Sequence, residues 1–132
     1  KRYLENDYIV ICDRYFLSTF AYQGSLLREH FNNDEKWMAW MENVVMYTDL
    51  VPDITIFLDL HPYGSNSRKN GVRRYEFFED EKYLVSVYGA YQEAIRAGIL
   101  SKSFHVCDST KSKSTVLKCA IAGIHEKTGM DI

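Results

Sequence analysis

The densest concentration of reactive side chains is Asp13-Arg14-Tyr15-Phe16-Leu17-Ser18-Thr19-Phe20-Ala21-Tyr22-Gln23-Gly24, which directly follows the apolar run Tyr8 to Cys12. It gathers an acid, a guanidinium, hydroxyls, phenols and an amide. If Tyr8 to Cys12 is a parallel strand, these groups lie at its carboxyl end, where open α/β sheets bind ligands. A planar guanidinium there holds a phosphate through two charge-assisted hydrogen bonds, which lysine does not match, so Arg14 is the leading phosphate ligand. Asp13 is suited to orienting Arg14 or to holding a Mg²⁺-bound water beside a transferring phosphoryl group. Gln23 offers a donor and an acceptor to a base edge, and Tyr22 an aromatic ring with a polar tip. Ser18 reads equally well as a turn residue.

The elements that must position these groups alternate along the chain. Three β-rich runs, Tyr8 to Cys12, Ile54 to Leu60 and Phe104 to Cys107, are each followed by loop and helix signals. That order predicts an α/β fold with a parallel sheet and flanking helices. Trp37, Met38, Met41, Val44 and Val45 fall at helical spacing over 35–46, with Asp34 as the N-cap. Over 80–95, Tyr83, Leu84, Val87, Tyr88, Tyr91 and Ile95 trace one apolar stripe ended by Gly98, and a last helix over about 113–126 buries Val116, Ala120 and Ile124.

Composition narrows the function class. With 132 residues, 46% of them hydrophobic, the chain fits one domain and can bury a core. Its net charge of -2 gives no footprint for nucleic acid or an anionic membrane, and no apolar run suggests a span. Cys12, Cys107 and Cys119 are far apart in sequence and lack metal-ligand spacing, so they read as buried small hydrophobes in a reducing compartment. A cytoplasmic address is expected.

The ordered pattern from Asp13 to Gly24 resembles the "DRY…AYQG" signature of thymidylate kinases. Pro52, Asp53, Thr55, Leu58, Asp59 and Pro62 are similar to that family's "PD-x-T-x-[FY]-L-D…P" stretch. Arg68, Lys69, Gly71, Arg73, Arg74, Tyr75 and Glu76 resemble its arginine lid, ending in "R-[YF]-E", over about 63–78. The resemblance implies a P-loop nucleoside monophosphate kinase fold and transfer of the γ-phosphoryl of Mg-ATP to dTMP. Arg14 then grips the acceptor phosphate, and Thr19, Tyr22 and Gln23, with Ser18 beside them, contact nucleobase or sugar. Asp13 stands near Mg²⁺. Arg68, Arg73 and Arg74 close on the donor phosphates, and the loop at Asp108 and Ser109 borders the adenine. Asp108 and Ser109 also read as N-caps of the last helix, and Asp59 as a structural helix-start or loop ligand. The family further implies a homodimer, for which the apolar faces around Trp37, Trp40 and Met41 offer area.

The lid here is shorter and poorer in arginine than in the bacterial form of the family, and its ending resembles the eukaryotic form, whose catalytic arginine lies in the phosphate loop. Nor is any of the seven glycines followed by lysine, so the chain lacks the G-x-x-x-x-G-K-[ST] loop that cradles donor phosphates. In the family that loop follows a strand lying between the strand with the DRY motif and the strand with the Leu-Asp motif. We therefore expect these residues, 1–132, to be a partial domain, the carboxyl-terminal part of a longer chain and inactive alone. A deoxynucleoside kinase and a non-catalytic nucleotide-binding fragment are the alternative readings.

Overall fold

Two strands, β1 (Thr55–Asp59) and β2 (Phe104–Asp108), pair in parallel in the computed structural model of the chain, with Phe57 opposite Val106 and Asp59 opposite Asp108. The structure describes residues 2–6, 8–31, 34–46, 50–65 and 81–130. Among these residues lie a short 3-10 helix (Leu4–Asn6) and five α-helices: α1 (Phe16–Phe31), α2 (Asp34–Met46), the four-residue α3 (Pro62–Ser65), α4 (Glu81–Ala97) and α5 (Lys113–Thr128). The crossover through α4 is what a parallel pair requires, because a tight turn cannot return the chain in the same direction.

The sheet has a helical layer on each side. Strand alternation sends Phe57 and Phe104 toward α1, α2 and α4, where Leu17, Phe20, Ala21, Trp37, Met41, Val87, Ala90 and Ala94 form the core. The α4 stripe packs as its periodicity dictates, with Val87 buried and Tyr83, Tyr91 and Ile95 half-buried against the core. His105 and Cys107 face the other way, toward α5. The strand entries are stitched by Ser101, whose Oγ donates to the Ser103 carbonyl and accepts from Thr55 Oγ1 at 2.9 Å. Thr55 of the Pro52-Asp53-Thr55 motif therefore joins the two strands.

Several expectations are corrected. Tyr8 to Cys12 forms no ladder with any described strand, and Ile11 is 84% exposed. A strand exists only by exchanging hydrogen bonds with a neighbour about 4.8 Å away, and no described segment occupies that position. The signature after it is helical: residues 16–31 form α1, and Ser18 is a helix residue rather than a turn residue. Gly24 admits the edge of Trp37, since a Cβ there would collide with the indole ring.

On α2, Val44 is exposed, whereas Trp37 and Met41 belong to the intramolecular core, so of the three residues offered for a dimer face only Trp40 stays largely accessible. On α5, Val116, Ala120 and Ile124 are half-buried, because the helix covers only β2 and part of β1. The N-cap of α5 is Ser112, whose Oγ accepts from the Thr115 amide, and Gly129, at φ 70°, closes it. Asp108 and Ser109 thus do not cap that helix.

The cysteines also depart from expectation. Cys107 is fully buried but disulfide-bonded to half-buried Cys119, and Cys12 is an exposed free thiol. Twelve residues separate the bonded pair in sequence, yet the β2-to-α5 turn brings their Cα atoms to 5.9 Å. No helix among the described residues is long and apolar enough to cross a membrane.

Candidate active site

The signature side chains are displayed by α1 and the two residues before it. Ser18 and Tyr22, four apart, share one helical face, and Thr19 and Gln23 share the adjacent one. Thr19 is half-buried and Gln23 exposed at the rim. Arg14 adopts a positive φ of 62°, a left-handed conformation costing an arginine about 1–2 kcal/mol. The turn that it makes sets the guanidinium carbon 5.3 Å from the centre of the Tyr22 ring. Such a contact is worth about 0.5–1 kcal/mol at an exposed site and leaves the N–H groups of the fork unspent. Among the described residues Arg14 makes no ion pair and is exposed.

Tyr91 of α4 organises this cluster. Its phenol is 2.9 Å from Ser18 Oγ, its ring lies 5.2 Å from that of Phe57 and 6.3 Å from that of Tyr22. Burial pushes the phenol pKa up, the hydrogen bond to Ser18 opposes that, Tyr22 raises it and the nearby Arg14 charge lowers it. Tyr83, two helical turns earlier, donates to the Tyr22 carbonyl at 2.8 Å. Tyr91 and Tyr83 were legible only as members of an apolar stripe. Their sequence signal as site residues was their polar tips, which a stripe buried on all sides would not favour.

At the sheet's carboxyl end, the Asp59 carbonyl accepts from the Ser109 amide at 2.8 Å, joining the ends of the two strands. The side chain of Asp59 does something else. Its Oδ1 is buried with no hydrogen-bond partner, whereas the carboxylate faces Tyr88, whose phenol is pushed up by burial first and then by its hydrogen bond with Asp59 and the Asp59 charge. A buried carboxylate oxygen without a donor costs about 1–3 kcal/mol, more when charged. Asp13 is exposed.

Asp108 folds back on its own loop: Oδ1 accepts from the Thr110 amide at 2.9 Å and from Thr110 Oγ1 at 2.6 Å. Those bonds, the side-chain one first, hold its pKa below the ordinary carboxylate value, with Lys111 assisting. Ser109, Lys111 and Lys113 then border a groove of about 530 Å³ floored by Leu58, Val116, Leu117 and Ala120. The fold thus brings Arg14, Ser18, Thr19, Tyr22 and Gln23 to one helix entrance and Asp108 and Ser109 to the other strand end. Arg68, Arg73 and Arg74, with most of the 63–78 segment, lie outside the described residues.

The family description "Thymidylate kinase" matches residues 1–119. The chain belongs to the thymidylate kinase family. It is 38% identical over 93 residues to the "Probable thymidylate kinase" of Thermoplasma acidophilum, covering 69% of this chain and 48% of that protein. Over 121 residues it is 31% identical to the "Probable thymidylate kinase" of Picrophilus torridus, covering 89% of this chain and 59% of that protein. Against the "Thymidylate kinase" of Janthinobacterium sp. it is 32% identical over 127 residues, covering 92% of this chain and 58% of that protein. The chain therefore spans about half the length of these relatives. No solved structure matches it significantly. The parallel α/β architecture is accordingly of the P-loop nucleoside monophosphate kinase type, from a family of phosphotransferases.

Proposed function

We propose that the protein carrying this chain transfers the γ-phosphoryl group of Mg-bound ATP to dTMP, giving dTDP, and that this chain supplies the acceptor side of the site. The observation that carries the reading is Arg14: an exposed guanidinium without an ion pair among the described residues, turned onto Tyr22 by a strained backbone. Strain of this kind persists where the surrounding structure holds it for a purpose, and a forked donor beside Ser18, Tyr22 and Gln23 suits a nucleotide monophosphate.

In this reading Arg14 anchors the acceptor phosphate, and Thr19, Tyr22 and Gln23 orient sugar and base. Tyr91 holds Ser18 and backs the Tyr22 ring. Arg68, Arg73 and Arg74 neutralise charge on the donor, and the Asp108–Ser109 loop borders the donor base. Asp13 and Asp59 supply oxygen donors of the hard type that Mg²⁺ prefers, directly or through its waters, and the unpartnered Oδ1 of Asp59 fits that role. When bound, Mg²⁺ would draw charge off the transferring phosphate oxygens. The protein's task is mainly positioning and charge neutralisation. A homodimer and a cytoplasmic address remain part of the proposal.

The test is an acceptor panel of dTMP, dUMP and thymidine on the complete gene product, together with Arg14→Ala. Loss of the bidentate contact should raise the KM for dTMP about 10- to 100-fold, the worth of a hydrogen-bonded charge at about 1.5–3 kcal/mol. An unchanged KM, or thymidine outrunning dTMP, would reject the assignment.

A further inference from the structure

Strand alternation places His105 and Cys107 on the face of β2 that α5 crosses, and α5 lies unusually close there. Gly123 is the reason, because any Cβ at that position would collide with the His105 ring. The close approach carries Cys119, one turn earlier on α5, over the same spot. The imidazole nitrogen and both sulfurs lie within 4.8 Å of one another, and Cys119 Sγ is 3.5 Å from His105 Nε2.

We propose that with both thiols reduced His105, Cys107 and Cys119 bind a soft divalent cation of the zinc class. A tetrahedral zinc ion with Zn–S of about 2.3 Å and Zn–N of about 2.0–2.1 Å separates its ligand atoms by roughly 3.5–3.8 Å. The Cys119 to His105 distance already has that value. The two sulfurs must part, and the Cys107 sulfur, now within 4.8 Å of the imidazole nitrogen, must come to the same spacing from it. Their Cα separation of 5.9 Å accommodates that by side-chain rotation without moving strand or helix. Two thiolates and an imidazole select a zinc-like ion over Mg²⁺, so this centre is chemically separate from the oxygen donors of the phosphoryl-transfer site. Three protein ligands leave a fourth position for water.

In the disulfide form the sulfurs are bonded to each other and the centre is closed. A phosphine reductant opens it: the phosphine takes an oxygen from water to become a phosphine oxide, and the disulfide becomes two thiols. Binding the cation then releases the two thiol protons. Nothing in this depends on the kinase reading.

The experiment uses the complete gene product with Cys12→Ser, which removes the exposed third thiol of this chain, reduced anaerobically with a phosphine, desalted and titrated with Co²⁺ as a spectroscopic probe. One Co²⁺ per chain should bind with thiolate-to-cobalt charge-transfer and tetrahedral ligand-field bands, and Zn²⁺ should displace it. Cys119→Ser should weaken the charge-transfer band, and it and His105→Ala should each lower affinity at least about 10-fold, the lower end of what even groups one step removed from a metal cost. Because Cys107 is fully buried, the oxidised chain serves as the control that needs no substitution there, and it should bind none. Failure of the reduced chain to bind cobalt stoichiometrically, an octahedral spectrum, unchanged affinity in His105→Ala, or equal binding by the oxidised chain would each overturn the proposal.

Discussion

The helical side of the molecule built from α1, α2 and α4 differs sharply from the segment before α1 and the outer part of β1. In the first, Phe20, Ala21 and Ala94 are fully buried and Trp37 is 1% exposed. In the second, Ile11 is 84% and Leu58 55% exposed, although both belong to apolar, strand-like runs. Hydrophobic sequence is therefore not what distinguishes the two regions. The helices meet each other's faces, while Ile11 stays open and Leu58 is only partly covered, at the floor of the open groove beside α5. A single apolar side chain contributes about 1.5–3 kcal/mol when fully buried and little when it is not. Stability should thus be concentrated in the helical side, and the Arg14–Gln23 cluster sits on its surface.

The largest test of that asymmetry is Trp37→Ala, which removes a buried ring packed at a tilt against Phe20, centroids 4.4 Å apart, and should cost about 3–5 kcal/mol in denaturant unfolding. A loss below 1 kcal/mol would show that the helical side is not the seat of stability. Gly24→Ala should cost about 1–3 kcal/mol by overpacking against Trp37, despite alanine's better helix propensity.

Next comes Tyr91→Phe, which deletes the bond to Ser18 and should cost about 1 kcal/mol. The sign of the pH effect follows from the raised phenol pKa. The folded state holds the Tyr91 proton more tightly than the unfolded chain does, so the stabilisation is complete below the ordinary tyrosine pKa of about 10 and is lost as pH rises through the folded value. The variant should lack that part of the alkaline decline, and identical alkaline profiles would contradict the burial of this phenol. Smallest of all, Leu58→Ser should change the stability of this chain by no more than about 0.5 kcal/mol. A larger loss would mean that the open side is packed in solution and would erase the contrast.

What could be read from the residues differs between these regions for the same reason. The amphipathic stripe of α4, the parallel alternation and the location of a polar, arginine-bearing cluster at 13–24 follow from local periodicity and side-chain chemistry. So does the lack of a glycine-lysine phosphate loop, which the order of residues fixes outright. The Tyr8 to Cys12 run had every local strand signal, yet pairing is a property of a neighbour, and local signals are silent about neighbours.

The chain's own order of residues determined its family, its α/β class and the acid, arginine and hydroxyl composition of the 13–24 cluster, because those depend on side-chain types at short spacing. Folding in space decided the rest. The Tyr91 to Ser18 bond joins residues 73 apart, and the meeting of His105 and Cys107 on β2 with Cys119 on α5 depends on Gly123, which lets the helix approach the strand. The left-handed turn at Arg14 brings its guanidinium to a ring eight residues further on, that of Tyr22 on α1. Contacts between distant residues are set by how helices and strands pack, and only the assembled core fixes that packing.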